Sequence, residues 1–69
     1  MNFFAKTLKQ LRIEKDLTQK ELSQKLDVTE AAVALWEQQR REPSFNTLIK
    51  LSKVLDVSVG QLLGTEDLY

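Results

Sequence analysis

Thr18 to Glu37 constrains this chain more than any other stretch, because it carries two helix starts with a forced stop between them. Thr18 and Glu21 form a Thr-x-x-Glu capping box, in which each side chain satisfies a backbone N–H that the first turn of a helix leaves unpaired. Leu22 and Leu26 follow four residues apart, on one face of that helix. Asp27-Val28 ends it. Thr29 is then a ready N-cap for a second helix, whose Val33 and Trp36 fall three apart as a buried stripe. Val28, in the turn, is the apolar plug between the two. Two short helices joined this tightly hold the second one out as a rigid rod, a shape that fits a DNA major groove.

The remaining chain reads as three more helices and no strand. Phe4, Leu8 and Leu11 make an i, i+4, i+7 stripe that predicts a first helix over residues 3–15, with Leu17 covering its junction with the next. The helix-turn-helix pair spans residues 19–26 and 30–38. Residues 39–43 form the long connection, because Pro43 blocks continuation, and Ser44 caps a fourth helix reaching Leu55, with Leu48, Leu51 and Leu55 inward. Ser58 and Gln61 form a second capping box, so a final short helix runs to Leu63, and Gly64 ends it in a left-handed conformation. The expected fold is therefore an all-α, compact five-helix domain over residues 1–64, followed by a short acidic tail, 65–69, that frays. No internal repeat, low-complexity stretch or linker to a second domain is expected.

Sixty-nine residues leave room for one small domain and one task. The chain has no cysteine and no histidine, which removes disulfides, thiolate metal sites, the usual general base and the commonest metal ligand. No paired catalytic groups stand at a useful spacing and no glycine-rich phosphate loop exists, so neither an enzyme nor a cofactor is expected. No apolar run approaches the roughly 20 residues that cross a bilayer, and Met-Asn-Phe-Phe-Ala-Lys lacks a signal-peptide layout. A soluble cytoplasmic protein is the expectation. Ten basic and ten acidic residues cancel, but Glu66 and Asp67 lie in the tail, so residues 1–64 carry ten positive against eight negative charges. That is a mild lean toward polyanions, against the alternative of an ordinary mixed-charge surface.

Taken in register, Leu17-Thr18-Gln19, Leu22, Leu26, Val28-Thr29, Val33, Trp36-Glu37, Arg40, Pro43-Ser44, Leu48, Leu51, Leu55, Val57-Ser58 and Leu62-Leu63-Gly64 resemble the Cro/cI-like (XRE-type) helix-turn-helix family. Any one piece is only a capped amphipathic helix; the full set, from about Phe4 to Gly64, is specific. The resemblance implies a lambda-repressor-like fold and a DNA-binding transcriptional regulator, typically a repressor. It places Gln19 at the start of the second helix, pointing at the DNA backbone and nearby base edges. Glu30, Ala31, Ala32 and Leu35 take the base-reading positions of the third helix, and the cap at Thr29 sits where such docking uses it. Lys20, Arg40, Arg41 and Asn46 are the matching candidates for phosphate contacts. Trp36, at a stripe position, is expected in the core rather than as a base-stacking platform. The resemblance also implies a partly buried ion pair between Arg12 and Glu37.

Three departures from the family pattern matter. The family commonly places Gln, Arg, Ser, Thr or Lys at the base-reading positions, whereas this helix offers Glu-Ala-Ala-Val-Ala-Leu. Glu30 can accept from cytosine N4 and the apolar residues can touch thymine methyls, so direct readout is sparse. Asp27 and Gln39 stand where the family often has glycine; if those positions need positive φ, Asp tolerates it better than Gln. A second function class follows from the same departures: a protein-interaction module that binds a partner repressor or toxin through an apolar patch of exposed Ala31, Ala32, Leu35 and Phe45. Self-association is also expected, because Phe3, Val59, Leu63 and Leu68 are left over once the core stripes are filled, and a two-fold dimer through the fifth helix would bury Val59 and Leu63.

Overall fold

The computed structural model describes residues 2–68, apart from the side chain of Asn2. It contains α1 (Asn2–Glu14), α2 (Gln19–Leu26), α3 (Glu30–Glu37), α4 (Phe45–Leu55) and α5 (Val59–Leu63), with no strand among the described residues. One core joins them. Phe4, Leu8 and Leu11 from α1, Leu22 and Leu26 from α2, Val33 and Trp36 from α3, Leu48, Leu51 and Leu55 from α4 and Leu62 from α5 are all buried. The α2 helix packs on α3 and α4, while α1 packs on α3 and α5, so α1 and α4 brace the helix-turn-helix from behind.

Each interior helix begins with a hydroxyl. Thr18 Oγ1 accepts from the Glu21 N–H at 3.0 Å while Glu21 Oε1 accepts from the Thr18 N–H at 2.9 Å, completing the expected box. Thr29 caps Ala32 and Ser44 caps Thr47, at 3.1 and 3.2 Å. At α5, Ser58 and Gln61 reciprocate in the same way as Thr18 and Glu21.

The helix ends share a device that sequence reading missed. The expectation of no internal repeat needs correction, because the triplet of Asp, an aliphatic residue and Thr or Ser recurs as Asp16-Leu17-Thr18, Asp27-Val28-Thr29 and Asp56-Val57-Ser58. In each, the Asp is left-handed, with φ of 57°, 58° and 56°. The aliphatic residue is half-buried against the core, and its N–H reaches back five residues to a carbonyl, at 3.0, 3.0 and 2.9 Å. The last residue caps the next helix. One triplet thus stops a helix, plugs the corner and starts another. Asp16 moves the end of α1 back to Glu14 from the expected residue 15. Gln39, at φ 62°, closes α3 with the same backbone bond, from the Arg40 N–H to the Leu35 carbonyl at 3.0 Å, leaving Gln38 as the cap residue rather than the last helical one.

The tail does not fray as expected through its described part. Thr65 and Glu66 N–H groups donate to the Gly60 carbonyl at 2.8 and 3.2 Å, Gln61 Nε2 donates to the Asp67 carbonyl at 2.8 Å, and Leu68 packs against the core. Ser58 Oγ donates to Glu66 Oε2 at 2.9 Å. Gly60 makes room for this, since a Cβ there would lie 2.5 Å from Glu66 Oε1. Tyr69 lies outside the described residues.

Candidate nucleic-acid interface

The outward part of the helix-turn-helix is built by the two caps just described. Thr29 starts α3 from an extended backbone, so the first turn of α3 projects Glu30 and Ala31 into solvent. Glu30 also suits a purely structural role, because an acid in the first turn complements the positive end of the helix dipole. Two expectations need correction here. Ala32 and Leu35 are half-buried rather than exposed, and Ala32 packs against the core. Ala32 lies one turn before buried Trp36, on the same side of α3, so its methyl is drawn inward. The freely presented apolar surface on α3 shrinks to Ala31 and part of Leu35, with Phe45, 69% exposed, at the start of α4.

The cations expected to meet phosphates stand free. The side chains of Lys20, Arg40 and Arg41 are exposed and join no ion pair among the described residues, and Asn46 is exposed as well. No hydrogen bond links these four to one another. Arg12 and Glu37 are brought together instead. Arg12 Nε donates to Glu37 Oε2 at 2.7 Å and Nη2 to Oε1 at 3.2 Å, while Nη1 donates to the Leu17 carbonyl at 2.8 Å. Gln19, half-buried at the first position of α2, donates from Nε2 to Glu37 Oε1 at 3.1 Å. The ion pair was expected but this third partner was not, and no local pattern announces it, because Gln19 and Glu37 lie on different helices.

A match to the family of helix-turn-helix domains covers residues 8–62, from the second turn of α1 to the buried leucine of α5. The chain belongs to the Cro/cI-like (XRE-type) helix-turn-helix family. Among relatives, this helix-turn-helix domain is 43% identical over 63 residues to the HTH-type transcriptional regulator YqaE of Bacillus subtilis (strain 168), covering 91% of this chain and 54% of YqaE. It spans between 32% and 57% of the length of the curated relatives it matches. Among solved structures, it superposes on the N-terminal DNA-binding domain of SinR from Bacillus subtilis with a TM-score of 0.87 and 34% identity, covering all of both chains. The DNA-binding domain of the P22 C2 repressor gives a TM-score of 0.83 at 29% identity, covering 91% of this chain and 86% of that one.

The Thr18 N–H, and then the Thr18 hydroxyl, hold the Glu21 carboxyl below the ordinary glutamate range. Among the described residues no group of acidic side chains is arranged to hold a metal ion, and no helix is long and apolar enough to cross a membrane.

Proposed function

We propose that the chain is the sequence-specific DNA-binding part of a cytoplasmic transcriptional regulator, that it places α3 in a major groove, and that it represses by occupying its site. The observation that carries this reading is the pairing of a capped, outward first turn on α3 with unpaired cations at Lys20, Arg40 and Arg41. A helix N-terminus and free guanidinium groups grip phosphate oxygens, which sets register, while Glu30 and Ala31 meet base edges. The names of the similar proteins support it, since SinR and P22 C2 are represented by DNA-binding domains and YqaE is called a transcriptional regulator. The protein-binding alternative loses support from half-burial of Ala32 and Leu35, which leaves little apolar area to cover.

A fluorescence titration with duplexes from upstream of its own gene and with random duplex, at two salt concentrations, tests the proposal. Preference for an upstream duplex, weakening as salt rises, is the expected result. No preference at low salt, together with tight binding to a co-encoded protein that Leu35→Glu abolishes, would move the assignment to the interaction module.

A further inference from the structure

The Arg12–Glu37 pair has a third member that the ion pair does not require. The guanidinium already serves both carboxylate oxygens, and the Glu37 side chain is only 5% exposed, yet Oε1 also accepts from Gln19 Nε2. We propose that Glu37 is a positioning residue that aims Gln19 at DNA, an inference that rests on the DNA-binding reading above. The buried pair then has two uses: it clamps α1 to α3, and it holds the first side chain of α2 in the attitude in which DNA meets it.

The chemistry of the contact fixes that attitude. A carboxylate only accepts, so the amide nitrogen of Gln19, not its oxygen, must face Glu37. This sets the roll of the amide and leaves one N–H and the oxygen Oε1 with no other partner among the described residues. A donor and an acceptor held in one plane can give the N–H to a phosphate and take a base amino group on the oxygen. A bond to a charged acceptor holds more firmly than one between neutral groups. Little water reaches Glu37, so departure of Gln19 would leave Oε1 with only the 3.2 Å bond from Arg12. Gln19 therefore keeps this bond when DNA docks, and its rotamer freedom has already been lost on folding rather than on binding.

The test is a double-mutant cycle read in DNA affinity. The probe is a fluorescein-labelled duplex enriched by the wild-type chain from a random-sequence pool, titrated with wild type, Gln19→Ala, Glu37→Gln and the double variant, at a temperature where circular dichroism shows each folded. Glu37→Gln is expected to weaken binding about tenfold when Gln19 is present and less than about twofold when it is Ala. Equal losses in both backgrounds would mean that Glu37 acts only through stability, and would overturn the proposal. If Glu37→Gln does not fold, side-chain amide exchange in the wild-type chain decides. One Nε2 proton of Gln19 should exchange with water more slowly than those of exposed Gln24 and Gln38, and equal rates would overturn the tether. A pool that yields no duplex bound above random sequence sinks the DNA-binding reading and the positioning role together. Tight DNA binding without coupling sinks the positioning role alone.

Discussion

Arg12 and Glu37 hold opposite charges where little water reaches, with side-chain exposures of 12% and 5%. Desolvation offsets much of their attraction, but removing one partner strands the other, which typically costs about 3 to 5 kcal/mol, against less than about 1 for a surface pair. Glu37→Ala should therefore lower the melting temperature by more than about 10 °C in a domain this small. An unchanged melting curve would show that the pair adds nothing to stability. Backbone strain makes a second prediction. Gln39 sits at φ 62° with a side chain that gains nothing there, whereas Asp27 at φ 58° belongs to a residue type that tolerates the region. Gln39→Gly should stabilise by roughly 0.5 to 1 kcal/mol, the left-handed penalty relieved less the backbone entropy of glycine. Asp27→Gly should gain less. Urea midpoints with an unchanged slope would read both, and a larger gain at Asp27 would contradict this ordering.

The α2 helix is held at its start by a box whose acid can be titrated. Glu21 has its folded pKa depressed, first by the bond from the Thr18 N–H and then by the Thr18 hydroxyl. The sign follows from linkage: stability from a depressed carboxyl is fully present above the unfolded pKa and is lost as pH falls through the lower folded value. Wild-type melting temperature should therefore drop on acidification below the ordinary glutamate range, and Glu21→Gln should flatten part of that drop while lowering the plateau at neutral pH. Parallel pH profiles for the two proteins would show that the box contributes nothing through charge. Because α2 carries Gln19 and packs on α3, loosening this cap should also loosen the face proposed to meet DNA.

A domain 28 Å in its longest dimension reaches one face of a major groove, whereas successive half-sites lie about 34 Å apart. On the proposed docking, one copy would reach one half-site, and two copies related by a two-fold axis would be needed to read a pair. Leu63 and Leu68 already pack in part against this chain's own core, so the surface left for a partner copy is Val59, the remainder of Leu63 and Phe3, which is 52% exposed beside Gly64. A weak dimer through α5 is expected in sedimentation, abolished by Val59→Glu without unfolding; a monomer at high micromolar concentration would end the idea. On DNA, the plot of log affinity against log salt should be steep, and Arg40→Ala should reduce its slope by about one while weakening all sequences alike. A change confined to one sequence would make Arg40 a base reader instead.

Helix starts, core stripes and the all-α class were legible in the residues because each depends on partners within four positions along the chain. Thr18 with Glu21, Ser58 with Gln61, and Phe4 with Leu8 and Leu11 carry their own geometry wherever the helix goes. The left-handed Asp16 and Asp56 were equally local, and the recurring Asp-aliphatic-hydroxyl triplet was the signal that could have found them. Other features have no local cause. Ala32 and Leu35 turned partly inward because α3 rolls to bury Val33 and Trp36, and the docking of Glu66 needed the open flank of Gly60, while Leu68 found the core only in the folded chain. Gln19 found Glu37 across two helices, a choice no spacing encodes. Hydrogen bonding and stripe periodicity act along one helix and can be read in order; partner selection between helices depends on how several faces pack at once, and that is settled only when the chain has folded.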